Sequence, residues 1–129
     1  MKLVRLWGPV LLVMALIFYL SSLPDPGGPP GGISDKTAHF LIYGALGASM
    51  MRALAGGRAA AIPTILAAIV LTTLYGVSDE IHQYFVPPRT PDILDVAADA
   101  AGACAGAIFV TVLARLRPGW FRPSGAARS

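Results

Sequence analysis

Apolar residues fall in four runs along the chain, each interrupted by polar residues in a different place. The first, 3–20, is apolar throughout and has a basic start at Lys2 and Arg5. The second, 36–55, starts polar and becomes apolar. The third, 60–85, is apolar until Tyr75 and polar afterwards. The fourth, 91–116, is polar in its first half and apolar in its second. A membrane span needs about 20 mainly apolar residues, so each run predicts a transmembrane helix. Pro9 falls within the first, which lipid-embedded helices tolerate. That run is long for a signal-peptide core, and Ser21-Ser22-Leu23 is a poor cleavage site, so a retained helix is expected.

The connections carry turn and cap signals. Residues 21–34 hold four prolines and four glycines and predict an irregular exposed loop. Ser34 is placed to cap the second helix, with Asp35 in its first turn. Ala55-Gly56-Gly57-Arg58 predicts a short turn. After Val86-Pro87-Pro88-Arg89, Thr90 is expected to cap the fourth helix and Pro91 to take its first position.

Composition agrees with a membrane-embedded chain. Of 129 residues, 55% are hydrophobic and 13% charged, against about 25% charged in soluble domains. Mean hydropathy is +0.64. The expected architecture is all-α, a single domain over 1–129, built as a four-helix transmembrane bundle. Net charge is +3, but the basic residues flank apolar runs and do not interleave with aromatics. Nucleic-acid binding is therefore not expected. The lone Cys104 excludes an internal disulfide and reads as a packed residue.

Eight of the ten Lys/Arg residues fall on one side of these spans: Lys2, Arg5, Arg52, Arg58, Arg115, Arg117, Arg122 and Arg128. Lys36 and Arg89 fall on the other. The bias predicts both termini in the cytoplasm of a cell with this chain in its inner membrane. Trp120 and Phe121 would then mark the cytoplasmic interface, and 117–129 a cytoplasmic tail.

The alternating path brings the start of the second helix, the end of the third and the start of the fourth to the same, outer, side. Helical spacing aligns Lys36, His39 and Tyr43 on one face. It aligns Tyr75, Asp79, His82, Gln83 and Val86 on another, with Glu80 beside it, and Asp92, Asp95, Asp99 and Gly102 on a third. Charges facing lipid would be unpaired, so the three stripes should converge on an outward-open polar cleft between these helices. Asp99, eight residues past Pro91, would lie about 12 Å below the rim at ~1.5 Å per residue. Asp25 reads as a loop residue, and Asp35 and Asp92 as helix-start residues. Asp79, Glu80, Asp95 and Asp99 remain as the core, with Lys36, His39 and Arg89 as counter-charges. Ala98, Gly102 and Gly106, with Gly44 and Gly47, predict close helix packing.

In order, these residues read Asp35-Lys36-Thr37-Ala38-His39-Phe40 with Tyr43, then Asp79-Glu80 with Gln83 and Phe85, then Arg89, Asp92, Asp95, Asp99 and Gly102. The set resembles the VanZ-like family of small bacterial membrane proteins over about half the chain. At Asp99 many relatives have Asn. The resemblance implies a multi-pass membrane protein, and the family's namesake is linked to resistance to the glycopeptide teicoplanin. The candidate ligand-binding set is thus Lys36, His39, Tyr43, Asp79, Glu80, Gln83, Arg89, Asp92, Asp95 and Asp99. The leading reading is a protein of the cell envelope whose partners are membrane lipids and a lipid-linked or cell-wall precursor. Lys36 and Arg89 would hold a phosphate. Two alternatives stay open: a membrane-embedded enzyme using the Asp/Glu/His cluster, with His39 or His82 among its groups, or a structural cluster that only holds the bundle together. No His-Glu-x-x-His or comparable spacing is present, so no metal or cofactor is expected.

Overall fold

All four apolar runs are helical in the computed structural model, which describes residues 1–56 and 60–117. The helices are α1 (Lys2–Ser21), α2 (Asp35–Ala55), α3 (Ile62–Tyr84) and α4 (Ile93–Leu116). A single 3-10 turn, Pro30–Gly32, lies in the first connection. The expectations for Gly57 and Arg58, for Arg122 and Arg128, for Trp120 and Phe121, and for a tail beyond 117 concern residues outside this described set.

Caps set the helix ends. Ser34 Oγ accepts from Thr37 N–H at 3.2 Å, as its position before Asp35 predicts. Gly56 closes α2 in the left-handed conformation, φ 60°. The start of α4 differs from expectation. Asp92, not Thr90, is its cap: Asp92 Oδ1 accepts from Leu94 N–H at 2.8 Å, and the helix begins at Ile93 rather than Pro91. A carboxylate two residues before a free amide outcompetes the more distant hydroxyl. Asp95 therefore falls in the first turn of α4, nearer the helix end than the apolar pattern implies.

Three helices, α1, α3 and α4, are long and apolar enough to cross a membrane. α2 has the length, 21 residues, but its first turns carry Asp35, Lys36, Thr37 and His39 and it is not among the three. Its position explains how it tolerates this. α2 packs most extensively against α4 and also contacts α1 and α3. Tyr43, Leu46, Gly47, Met50 and Met51 are buried on it. All four helices turn large apolar side chains outward, among them Leu12, Leu41, Leu66 and Phe109. Such an apolar exterior suits lipid, not water.

The α2–α4 contact is backbone to backbone. A Cβ on Gly106 would collide with the Gly44 carbonyl, and one on Gly47 would stand 2.7 Å from the Ala103 carbonyl. Only residues without that atom permit this approach. At the opposite end from the acids, Arg52 Nη1 donates to the Arg5 carbonyl at 2.8 Å, which brings two basic residues of the eight-member set to one end of the bundle.

Candidate functional site

The ten residues singled out from the sequence meet at one end of the bundle, where α2 begins, α3 ends and α4 begins. Lys36 Nζ on the first turn of α2 bridges α4. It lies 2.7 Å from Asp92 Oδ2 and 2.8 Å from Asp95 Oδ1. One turn further, His39 Nδ1 lies 2.9 Å from Asp99 Oδ1, and His39 Nε2 lies 4.0 Å from Asp95 Oδ2. One turn further again, Tyr43 stacks almost parallel to His39, with ring centroids 6.2 Å apart. The i, i+3, i+7 spacing of α2 thus runs beside the carboxylate stripe of α4.

α3 joins through its last two turns. Gln83 Nε2 donates to Asp79 Oδ2 at 3.1 Å and to Glu80 Oε1 at 3.3 Å. Glu80 Oε2 accepts the Asp92 backbone N–H at 2.8 Å, which ties the end of α3 to the start of α4. Arg89 Nη2 donates to Gln83 Oε1 at 2.7 Å. A polar chain therefore runs from Arg89 through Gln83, Glu80, Asp92, Lys36 and Asp95 to His39 and Asp99.

Asp79, Glu80, Asp95 and Asp99 are all buried, Asp99 completely. Room for the Asp99 side chain comes from Gly76 on α3: a Cβ there would stand 2.6 Å from Asp99 Oδ2. Asp99 Oδ2 itself has no hydrogen-bond partner among the described residues. Burial of a charge without full pairing is costly, and four such groups in one place need a return. Asp92, outside the helices, is held below its ordinary carboxylate value of 3.8, first by the Lys36 ammonium and then by the Leu94 amide.

Three expectations are corrected by this geometry. Arg89 is not a counter-charge: among the described residues it forms no ion pair and rests on a neutral amide. His82 turns away from the cluster. Its Nε2 lies 3.0 Å from Ser22 Oγ and its ring 4.8 Å from that of Phe18, at the end of α1. Tyr75 likewise turns to α1, donating to the Met14 carbonyl at 2.8 Å.

A space between the end of α3 and the start of α4 is walled almost wholly by apolar residues, with Glu80 its one acid; the cavity that most of the polar residues line lies elsewhere. A space of about 210 Å³ opens between the end of α1, the 22–34 connection, α2 and α3, and no α4 residue lines it. Its apolar wall is Ile17, Leu20, Ala38, Ile42 and the prolines of the connection. Its polar wall is Ser21, Asp35, His39, Tyr43, Asp79, Gln83 and Arg89. The connection is exposed over most of its length, as expected, and it also forms a wall of the cavity, with its Asp25 carboxylate accepting from Gly27 N–H at 2.9 Å. Ser21 Oγ on this wall is buried without a hydrogen-bond partner among the described residues, and the buried Tyr43 hydroxyl lies beside the Asp79 carboxylate. Buried polar groups are nearly always satisfied, so unpartnered ones beside a cavity mark where a ligand atom or water belongs.

Two wall residues escaped the sequence reasoning. Ser21 offers no pattern to find it by. Asp35 reads from its position as a helix-start residue, although its i, i+4 spacing to His39 puts both on one face.

The residues from α1 to the end of α4 are also those that comparison picks out: a model of the VanZ/LLP1 family matches residues 6–114. No curated protein and no solved structure matches the chain.

Proposed function

We propose, from the premise that the chain belongs to the VanZ/LLP1 family, that this membrane protein binds the anionic head group of a lipid or lipid-linked cell-wall precursor. The observation that carries this reading is the wall of the cavity. There Arg89, which forms no ion pair among the described residues, faces the same space as the Ser21 hydroxyl, which has no partner among them, and the Tyr43 hydroxyl beside Asp79. A guanidinium and two hydroxyl groups together suit a phosphate ester, which accepts from all of them. The apolar wall of Ile17, Leu20 and Ile42 suits the first carbons of an acyl or prenyl chain.

In this reading the chain is a single domain of four spans in the cytoplasmic membrane, α2 sheltered by the others, with both termini inside and the cavity on the outer side. The excess of Lys and Arg at the opposite end supports that orientation. A role in the response to cell-envelope antibiotics, teicoplanin among them, follows for a protein that holds such a precursor.

The decisive measurement is thermal stability of the purified protein in detergent with added lipids. Phosphatidic acid and a polyprenyl phosphate should raise the melting temperature, and phosphatidylcholine should not. Arg89→Ala should remove the difference. An equal response to all three lipids, or an unchanged response in the variant, rejects the reading. In cells, a deletion strain complemented with Asp79→Asn or Glu80→Gln should keep the altered antibiotic susceptibility of the deletion.

A further inference from the structure

The aspartates at this end of the bundle divide into two groups. Asp92, Asp95 and Asp99 are paired with Lys36 or His39, and none of the three lines the cavity. Asp35 and Asp79 do line it, and neither has an ion pair among the described residues. Arg89 lines it too, and its guanidinium rests on the neutral amide of Gln83. The wall therefore carries one cation and two carboxylates whose charges no described residue matches.

A bare anion suits this wall badly. A phosphate drawn to Arg89 would share a space of about 210 Å³ with two negative groups, and like charges at such range repel. A head group that brings a cation of its own along with the phosphate meets both signs.

We propose that the cavity takes a phosphodiester head group bearing a primary ammonium, of the ethanolamine type, with the phosphate on Arg89 and the ammonium on Asp35 and Asp79. This deepens the phosphate reading above and rests on it. The N–H count of the cation is what selects it. A primary ammonium has three donors, and a carboxylate has room for about four hydrogen bonds. Asp79 gives one of its oxygens to Gln83 at 3.1 Å and keeps acceptor capacity. A trimethylammonium has no N–H and sets methyl groups against the carboxylates, so a choline head gains none of the charge-assisted hydrogen bonds.

A second observation, independent of charge, points to a ligand in the same space. Ser21 is 3% exposed and lines the wall where α1 ends, and its hydroxyl has no hydrogen-bond partner among the described residues. Buried hydroxyls are nearly always satisfied, and the phosphodiester oxygens supply the acceptor it lacks. The apolar wall of Ile17, Leu20 and Ile42 continues toward the chains, which assigns the site to a phospholipid and not to the soluble head alone.

The test uses the full chain, delipidated in detergent and titrated with lipids of identical chains while its melting temperature is followed. The series is phosphatidylethanolamine, its N-methyl and N,N-dimethyl derivatives, phosphatidylcholine and phosphatidic acid. Phosphatidylethanolamine should stabilise most, ahead of phosphatidic acid, and each added methyl should reduce the shift. Asp35→Asn, at an exposed position, should weaken phosphatidylethanolamine binding about tenfold through the loss of a charged hydrogen bond. It should also remove the advantage over phosphatidic acid. Asp25→Asn, off the wall, should keep that advantage. Glycerophosphoethanolamine, the same head without chains, should give a smaller shift; an equal one overturns the assignment to a lipid. A phosphatidylethanolamine shift no larger than that of phosphatidylcholine overturns the proposal, as does an advantage that survives in folded Asp35→Asn. In either case a response to phosphatidic acid leaves the phosphate reading standing. No response to any of these lipids overturns both.

Discussion

His39 on α2 and Asp99 on α4 meet at 2.9 Å where neither water nor a second cation reaches the carboxylate. The pair is the deepest point of a chain of contacts that starts at Arg89. It makes His39 the member of the cluster whose removal should cost most.

Breaking a buried pair by deleting one partner costs about 3–5 kcal/mol, because the other charge stays behind. His39→Ala should therefore lower stability by roughly 3 kcal/mol. Asp99→Asn should cost less, since an amide oxygen still accepts from Nδ1–H and no charge is stranded. Thermal unfolding in detergent measures both. Equal losses would show that the imidazole is not what compensates Asp99.

The glycine contacts predict an inversion of helix propensity. Gly→Ala in a helix interior is ordinarily favourable by about 1 kcal/mol. At Gly44, where a Cβ would make only an ordinary contact of 3.6 Å with the Gly102 carbonyl, that gain should appear. Gly106→Ala should instead destabilise by about 1–3 kcal/mol, because the new methyl overlaps the Gly44 carbonyl. Melting temperatures of the two variants should move in opposite directions.

Much of the helical frame was legible before the structure. Hydropathy places every helix end within two residues, and the 3.6-residue period correctly groups Lys36 with His39 and Asp92 with Asp95 and Asp99. Periodicity cannot say which neighbour a face meets. Tyr75, His82 and Asp79 share a helical face by spacing, yet Tyr75 and His82 reach α1 while Asp79 reaches Gln83. The cavity was misplaced for the same reason: its walls include the 22–34 connection, whose prolines and glycines mark a loop without giving its path. Charge alone pairs Arg89 with a carboxylate, whereas in the structure the neutral amide of Gln83, one position before the helix end, accepts from it.

Acid should weaken the bundle partly through Asp92. Its carboxyl is held below 3.8 by Lys36, so its contribution is fully present above that value. The contribution is lost as pH falls through the lowered folded value. Asp92→Asn keeps a capping oxygen but carries no charge. Its melting temperature should fall less steeply than wild type on acidification below 3.8. Parallel curves would mean that the Lys36 contact contributes nothing to stability.

Orientation can be read with thiol chemistry. In a Cys104→Ala background, Asp25→Cys should react with a membrane-impermeant maleimide added to intact cells, and Lys2→Cys should react only after lysis. The reverse pattern would turn the bundle over and put the cavity on the cytoplasmic side.

The meshed glycines of α2 and α4 act as a registration mark. Lys36 and His39 are placed against Asp92, Asp95 and Asp99 by a contact two to three turns away that carries no charge. Sliding α2 by one turn, about 5.4 Å, would drive Cα-only surfaces against side chains and strip every ion pair at once. The two helices therefore move as one piece. The cavity walls that can shift without disturbing the alignment of Lys36 and His39 with α4 are α1 and the 22–34 connection.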